Sequence, residues 1–261
     1  MRYALTVQYK GKNYSGSQIQ LGGKCRENPH GTEIEPTIQG ELEKAISTLI
    51  FGDTENKDRQ FKTVFSGRTD KGVNSLGQVV HFDTDKDIVA SKFVYQLNEI
   101  LPKDISVSNL KIVEKRFHAQ KSAKKRHYRF EFINSKCKNA FDGDLMRVKF
   151  DVNIERMQNS LNYLLGEHDF SSFKSSGTLN PSTVCFIESA KVQKLGDRVF
   201  IDIVGNRFLY NMVRTIVGTL LEIEGHNLES VHMKQVLDLK DRRMAGQTVS
   251  PYGLTLMKVE Y

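Results

Sequence analysis

The 261-residue chain contains no tryptophan, only three cysteines and only five prolines. The cysteines, Cys25, Cys137 and Cys185, show no Cys-x-x-Cys spacing, so the sequence predicts neither a disulfide framework nor a zinc site. No apolar run approaches the length that crosses a bilayer, and the first residues lack the architecture of a signal peptide. We therefore expect a soluble protein in the reducing environment of the cytoplasm.

Acidic residues are also fewer than basic ones. The 38 Lys and Arg outnumber the 31 Asp and Glu, which gives a formal net charge of +7. Such an excess favours a polyanionic partner, and nucleic acid is the natural candidate. Hydrophobic residues make up 39% of the chain, which is enough to bury a sizeable core and argues against disorder.

Hydrophobic periodicity predicts a regular order of elements in the first part of the chain. The order β-α-β-β-α-β is that of a ferredoxin-like unit. The predicted elements are a strand at 3–9, a helix between Thr37 and Gly52, strands at 61–65 and 77–82, a helix that ends at Pro102, and a strand at 105–113.

The second part of the chain repeats this order in outline. Its predicted elements are strands at 128–132 and 146–150, a helix from Ile154 that stops at Gly166, a hairpin of 184–192 with 199–204, a buried apolar segment at 208–223, and a closing strand at 254–261. The sequence therefore predicts an α+β protein with two α/β subdomains, 1–113 and 114–261.

Residues 65–82 contain the most informative stretch. Asp70 lies between the cations Arg68 and Lys71, with glycines at 67 and 72 and a β-like run after them. Neighbouring cations favour an ionised carboxylate, and the glycines permit a sharp turn. Read alone, the tripeptide Asp-Lys-Gly is better explained as an ordinary turn.

The whole string, Gly-Arg-Thr-Asp-x-Gly-Val-x-x-x-Gly-Gln-Val-Val-His-Phe, resembles the active-site motif of TruA-type tRNA pseudouridine synthases. The resemblance implies that Asp70 is the catalytic residue and that Arg68 helps to extrude the target nucleotide. It also implies the pseudouridine synthase fold, in which two ferredoxin-like α/β subdomains share a mainly antiparallel sheet and the active site lies in the cleft between them.

A basic segment, residues 111–129, has eight Lys or Arg and a single Glu. Most charge runs are solvated faces, but aromatic rings interleaved with these cations favour RNA, which is held by stacking and phosphate pairing. We assign substrate binding to Lys71 and to Lys124, Lys125 and Arg126. Without a resemblance, Tyr128 would be interpreted as a core residue; the family's Tyr-x-Tyr/Phe element implies that it stacks on the target uracil.

Residues 207–222 read as a buried helix, in which a charged Arg214 needs a partner because an unpaired buried cation is costly. The segment resembles the family helix whose Arg pairs with the catalytic Asp, so the resemblance implies an Arg214–Asp70 ion pair. It further implies that Leu254 lines the uracil pocket. His168 and Asp169 suggest acid-base or metal chemistry at first sight, but a hydrogen-bonded loop His is far commoner.

The chain departs from the family pattern at four positions. Ser17 replaces a usual Trp, Lys71 and Asn74 replace Ala and His, and Gln120 replaces Arg; by family analogy these positions belong to the RNA-facing surface. A loop at residues 19–36 is longer than in most relatives. Neutral drift and an altered choice of uridine both explain these departures.

The reaction implied by the resemblance is the isomerisation of uridine to pseudouridine, at positions 38–40 of the tRNA anticodon stem-loop. It requires no cofactor and no metal. Asp70 acts either as a nucleophile or as a base that removes a ribose proton. A homodimer is a family expectation. The alternatives are a related enzyme that acts on another structured RNA, such as ribosomal RNA, and a non-catalytic RNA-binding module.

Overall fold

The computed structural model describes residues 1–19, 36–52, 61–175 and 182–261. The chain divides into two compact units, Met1–Ala123 and Lys124–Tyr261. The boundary predicted from the sequence assigns residues 114–123 to the second subdomain, whereas these residues cluster with the first unit.

The described part of the first unit alternates strands with helices. Its strands are antiparallel and lie in the order β4-β1-β3-β2. This is the ferredoxin-like arrangement that the sequence predicts. The elements are β1 (Arg2–Tyr9), α1 (Ile38–Phe51), β2 (Thr63–Phe65), β3 (Asn74–Asp83), α2 (Ala90–Ile100) and β4 (Ile105–Val113).

Helix α1 begins and ends at the predicted residues. Thr37 accepts a hydrogen bond from the Gly40 amide at 3.0 Å, which satisfies one of the unpaired donors of the first turn. Gly52 follows the last turn with φ of 75°, a backbone angle that favours glycine. The apolar face of α1, with Leu42 and Ile46 fully buried, packs on the sheet and contributes about 1.5–3 kcal/mol for each large side chain.

Residues 115–119 are tied to the first unit by β1 and β3. Arg2 donates from its terminal nitrogen Nη1 to the Lys115 and Phe117 carbonyls at 2.7 and 2.6 Å. The buried His81 accepts from the Ala119 amide at its Nδ1 atom, at 3.1 Å. These contacts explain why this part of the basic segment lies with the first unit.

The buried imidazole of His81 should make folding dependent on pH. Burial, together with the positive charges of Arg2 and His118, lowers its pKa from 6.5 to about 4 against the opposite effect of Asp83. A depressed histidine pKa stabilises the fold fully above pH 6.5, and this stabilisation is lost as pH falls towards 4. We expect the imidazole to account for about 2–3 kcal/mol of the stability difference between pH 7 and pH 4.5.

Urea unfolding of His81→Asn tests this expectation, since the asparagine Oδ1 atom keeps an acceptor for the Ala119 amide but does not titrate. The wild-type protein should lose about 2–3 kcal/mol more than the variant between pH 7 and pH 4.5. Equal losses in the two proteins would rule out His81 as the source.

The second unit repeats the strand order of the first in β10-β5-β9-β8, with β7 beyond β8 and β6 parallel to β5. Its β5-α3-β8-β9-α4-β10 portion is again β-α-β-β-α-β, so the predicted α+β fold class is confirmed. The elements are β5 (Lys125–Asn134), β6 (Arg147–Val148), α3 (Ile154–Asn162), β7 (Gly166–Asp169), β8 (Val184–Leu195), β9 (Arg198–Gly205), α4 (Met212–Gly225), α5 (Val231–Leu239) and β10 (Leu254–Glu260).

Three details of the second unit differ from the prediction. Helix α3 ends at Asn162 rather than at Gly166, because the Leu164 and Leu165 amides donate to carbonyls three residues back and tighten the last turn. Strand β7 follows α3 without a predicted counterpart, and α5 has none either. Among the described residues, no helix is long and apolar enough to cross a bilayer.

Candidate active site

Asp70 lies in the connection between β2 and β3, on a tight turn. The Val73 amide donates to the Asp70 carbonyl at 3.1 Å, and Gly72 has φ of 82°, where a side chain would be strained. Asp70 is half-buried, while Arg68 and Lys71 are exposed. The predicted carboxylate between two cations is therefore presented on a loop with the cations towards solvent.

Gly11, which follows β1, forms hydrogen bonds that hold this turn in place. The Gly72 amide donates to the Gly11 carbonyl at 3.2 Å, and the Gly11 amide donates to Asn74 Oδ1 at 2.9 Å. A Cβ atom on Gly11 would lie 2.1 Å from the Val73 carbonyl oxygen, so only glycine fits this approach. Asn74 thus has a structural role, and its predicted place on the RNA-facing surface is not needed to explain it.

Ser17 is buried beneath the loop, with 0% of its surface exposed. Its amide donates to the Thr69 carbonyl at 3.0 Å, and its Oγ atom accepts from the Thr69 amide at 2.8 Å. The prediction that Ser17 belongs to an RNA-facing surface is therefore wrong. Lys71 and Gln120 are exposed, so the same prediction stands for them; residues 20–35 of the long loop lie outside the described residues.

Arg68 is oriented by the residue that follows Ser17. Its Nε atom donates to Gln18 Oε1 at 2.6 Å, across 50 positions of sequence. Both side chains sit at the same edge of the loop that carries Asp70. The Gly16-Ser17-Gln18 stretch thus contacts the loop that carries Asp70 at two points, at Thr69 through Ser17 and at Arg68 through Gln18.

Tyr128 lies on β5 of the second unit, with 9% of its surface exposed. Its ring meets Phe208 edge to face, with 5.1 Å between ring centroids. On the neighbouring strand β10, Leu256 is paired with Tyr128 and Leu254 with Phe130. Directly paired residues point to the same face of a sheet, so the two predicted uracil contacts, Tyr128 and Leu254, share one face of the second unit.

Arg214 lies in the first turn of α4 and is half-buried, which corrects its predicted place in the middle of a buried helix. Its Nε atom donates to the Val249 carbonyl at 2.8 Å, and its Nη1 atom donates to Asn211 Oδ1 at 2.7 Å. Asn211 precedes the helix in the left-handed conformation, with φ of 61°, and its side-chain Nδ2 atom donates to Ser175 Oγ at 3.0 Å. Two acceptors therefore fix the plane of the guanidinium group.

A close backbone contact explains why Val249 reaches Arg214. A Cβ atom on Gly218 of α4 would lie 1.8 Å from the Gln247 carbonyl oxygen, so this approach requires glycine. The Gly246 amide also donates to Thr219 Oγ1 at 2.9 Å. The Gly-Thr pair of α4 and the Ala-Gly-Gln stretch near the C-terminus thus belong to one contact, which the sequence prediction did not identify.

The basic segment is not one continuous free surface. Lys125 pairs with Glu188 at 2.7 Å, and Arg129 pairs with Asp202 at 2.9 Å. Arg126 donates to the Asn206 carbonyl at 2.7 Å, and burial lowers its pKa. Lys124 is exposed, so it is the member of the three predicted substrate-binding cations that solvent reaches most freely.

His168 and Asp169 form hydrogen bonds with residues close to them in sequence. The His168 Nε2 atom lies 2.7 Å from the Leu165 carbonyl oxygen. The Asp169 carboxylate accepts hydrogen bonds from the backbone amide and from the hydroxyl of Ser171. Burial alone would raise the pKa of Asp169, but these hydrogen bonds and Lys240 hold it below the usual value. Within the described ranges, no three His, Cys, Asp or Glu side chains are grouped so that they could hold a metal ion.

Comparison with known proteins places these features in a class. A family model described as "tRNA pseudouridine synthase" matches residues 161–261. The tRNA pseudouridine synthase A of Buchnera aphidicola subsp. Schizaphis graminum is 40% identical, over 100% of this chain and 92% of that protein. The tRNA pseudouridine synthase A of Bacillus subtilis (strain 168) is 37% identical, over 100% of this chain and 99% of that protein.

Identity of this extent, along the whole chain, defines the class as the pseudouridine synthases. The chain belongs to the tRNA pseudouridine synthase A family. The resemblance seen in residues 65–82 and the predicted enzyme class, an isomerase, are thereby confirmed. Among solved structures, the chain is similar to the Cbf5–Nop10–Gar1 complex with a TM-score of 0.36 and 10% identity, over 84% of this chain and about half (53%) of that one; values this low carry no argument.

Proposed function

We propose that the protein isomerises uridine to pseudouridine at positions 38–40 of the tRNA anticodon stem-loop. The observation that carries this proposal is the Gly-Arg-Thr-Asp loop, with Asp70 on its turn, in a chain that matches tRNA pseudouridine synthase A proteins from end to end. The names of these relatives favour tRNA over ribosomal RNA and an enzyme over a non-catalytic RNA-binding module.

The reaction exchanges one bond of the base for another. The N1–C1′ bond breaks, the uracil turns while it is still enclosed, C5 bonds to C1′, and the C5 proton leaves as N1 gains one. We assign to Asp70 the step that starts this exchange, either as a nucleophile or as the base that takes a ribose proton. No oxidation or reduction occurs, so the side chains named here suffice for the chemistry proposed.

The other assignments concern binding and orientation. Arg68 helps to extrude the nucleotide, a step that costs a few kcal/mol of unstacking. Tyr128 stacks on the uracil and Leu254 lines its pocket. Arg214 is the cation that pairs with Asp70, and its guanidinium plane, fixed by Val249 and Asn211, suits a directional hydrogen bond to a carboxylate.

Mapping of pseudouridines tests the target. The purified protein is incubated with a tRNA transcript that carries uridines at 38, 39 and 40, and with a matched transcript that carries cytidines there. We expect modification of the first transcript and none of the second. Equal modification of both, or modification of a ribosomal RNA fragment alone, would contradict the proposal.

Stacking by Tyr128 predicts a difference between two substitutions. Tyr128→Phe keeps the aromatic face and the contact with Phe208, so turnover should stay within a few-fold of wild type. Tyr128→Leu removes that face, and since stacking on a base is worth about 1–3 kcal/mol, turnover should fall by roughly ten- to a hundred-fold. Equal single-turnover rates for the two variants would remove Tyr128 from the proposed site.

Neutralising Lys124, Lys125 and Arg126 to Gln should weaken tRNA binding and flatten its salt dependence. Each lost phosphate contact lowers the slope of log K against log salt by roughly 0.7–0.9, so the slope should fall by about 2–3 if all three touch phosphates. Lys125 is paired with Glu188 and Arg126 with a carbonyl, so a smaller change would single out Lys124.

A variant with the same change in net charge serves as the control. Neutralising Lys234, Lys240 and Arg243 also removes three positive charges, from residues with their own acidic partners near α5. This variant should bind tRNA with the wild-type salt slope. If the two triple variants behave alike, the effect is one of net charge and the basic segment is not the RNA contact.

We further propose that the protein works as a homodimer in the cytoplasm, where its tRNA substrate is found. Light scattering during size-exclusion chromatography measures the molecular mass of the protein and so tests whether it is a homodimer. A mass of one chain under conditions of full activity would contradict it.

A further inference from the structure

A group of six buried polar residues lies directly behind the loop that carries Asp70. None of them is more than 6% exposed. Buried polar groups are costly unless they are hydrogen-bonded, so these side chains need partners among themselves or on the backbone. The six residues, called here the loop-support network, are Tyr9, Ser17, Ser66, Thr69, Ser75 and Gln78.

Thr69, the residue before Asp70, is the centre of the loop-support network. Its amide donates to Ser17 Oγ at 2.8 Å, its carbonyl accepts from the Ser17 amide at 3.0 Å, and its Oγ1 atom lies 2.8 Å from Tyr9 OH. The Thr69 carbonyl and the Asp70 amide belong to one peptide plane. Fixing that carbonyl therefore fixes the plane from which Asp70 projects.

Gln78 of β3 connects the rest of the loop to the same network. Its Nε2 atom donates to the Gly67 carbonyl at 2.9 Å and to Tyr9 OH at 3.4 Å, and its Oε1 atom accepts from Ser66 Oγ. Tyr9 OH therefore links Gln78 of β3 to Thr69 of the loop, since it lies within hydrogen-bond distance of both side chains. Burial raises the pKa of Tyr9 above the usual tyrosine value.

Hydrogen bonds hold a loop differently from apolar contacts. They are directional, so they select one backbone geometry, whereas apolar side chains of similar volume would stabilise the fold without fixing a peptide plane to the same degree. Catalysis is sensitive to that geometry, since a displacement of about 1 Å at a reacting group can cost roughly a hundred-fold in rate. Ser17 and Tyr9 reach Thr69 from 52 and 60 positions away in sequence, so local turn preferences do not explain the arrangement.

We propose that Tyr9 and Thr69 are positioning residues for the reaction of Asp70, and that the hydrogen bond between their hydroxyl groups sets the direction of the Asp70 carboxylate. This inference rests on the proposed catalytic role of Asp70. It adds to that role two residues that do not touch the substrate and act through the backbone of the loop.

The test uses substitutions that remove one hydroxyl and little else. Thr69→Val and Tyr9→Phe each delete one partner of the hydrogen bond with nearly unchanged shape, Thr69→Ser keeps the hydroxyl, and a double variant lacks both groups. Single-turnover rates are measured at saturating tRNA, beside the dissociation constant of the tRNA and the urea midpoint of each protein. Ser160→Ala, which deletes a buried hydroxyl on α3 in the other unit, is the matched control.

We expect Thr69→Val and Tyr9→Phe each to lower the single-turnover rate about ten-fold or more with unchanged tRNA affinity, and Thr69→Ser to recover most of the rate. The double variant should be no slower than the slower single variant, because each single substitution already breaks the hydrogen bond that Tyr9 and Thr69 share. Ser160→Ala should react at the wild-type rate.

Wild-type rates in Thr69→Val and Tyr9→Phe would overturn the proposal, and so would effects that multiply in the double variant. If Thr69→Val does not fold, Tyr9→Phe decides: a slowed but folded Tyr9→Phe supports the inference, and a wild-type rate refutes it. Absence of pseudouridine with the wild-type protein would instead refute the proposed function, so the two failures are distinguishable.

Discussion

Asp70→Asn should abolish uridine isomerisation while tRNA binding stays within a few-fold of wild type. The amide has nearly the shape of the carboxylate but neither its charge nor its basicity, so it cannot act as a nucleophile or take a proton. Loss of a general acid-base or nucleophilic group costs roughly a hundred- to ten-thousand-fold in rate, and single-turnover rates on excess enzyme measure a loss of that size.

The matched control for this result is Asp85→Asn, which removes an exposed carboxylate from the same unit and changes net charge equally. It should react at the wild-type rate. The catalytic assignment would be lost if purified Asp70→Asn turned over at an appreciable fraction of the wild-type rate, or if the two variants were equally slow.

Arg214→Ala should lower turnover by roughly a hundred-fold or more, because it removes the proposed partner that keeps the Asp70 carboxylate ionised and aimed. It should also destabilise the second unit by about 1–3 kcal/mol, since the Val249 carbonyl and Asn211 Oδ1 lose a charged donor. Arg214→Lys keeps the positive charge but not the planar, forked guanidinium group. Its turnover rate should therefore lie between those of the wild-type protein and Arg214→Ala.

Arg243, which pairs with Asp241 on the surface, provides the control for Arg214→Ala. Arg243→Ala breaks an exposed pair with Asp241 and should leave both turnover and stability near wild type. An Arg214→Ala protein that is destabilised yet turns over at the wild-type rate would show that Arg214 supports the fold and has no part in the reaction.

Local signals in the sequence were sufficient for much of the fold. Thr37 and Gly52 bound α1 because a side-chain acceptor at one end and a left-handed residue at the other are encoded in single residues. Alternation along β1 and the hairpin of β8 and β9 are equally local. Helix α5 escaped prediction because Leu239, its last residue, is followed by Lys240 with φ of 52°, where the sequence pattern favours Gly or Asn.

In the candidate site, too, local sequence motifs were predictable and contacts between residues far apart in the sequence were not. Asp70, Arg68, Tyr128 and Arg214 are predicted as site residues because their neighbours in sequence form motifs that resemble a known family. The assignment of Ser17 to a surface is wrong because its partner, Thr69, lies 52 positions away. Neither hydrophobic periodicity nor motif spacing can indicate a hydrogen bond across that distance. The Val249 acceptor of Arg214 was missed for the same reason, since Val249 lies 35 positions beyond it.

Hydrogen release from C5 of uridine tests the central claim most directly, because C5 must lose its hydrogen when it bonds to C1′. A tRNA transcript made with 5-tritiated uridine is incubated with the wild-type protein and with Asp70→Asn. The account predicts tritium release by the wild-type protein, up to the number of target uridines in each transcript, and none above background by Asp70→Asn. No release by folded, tRNA-bound wild-type protein, or equal release by both proteins, would contradict it.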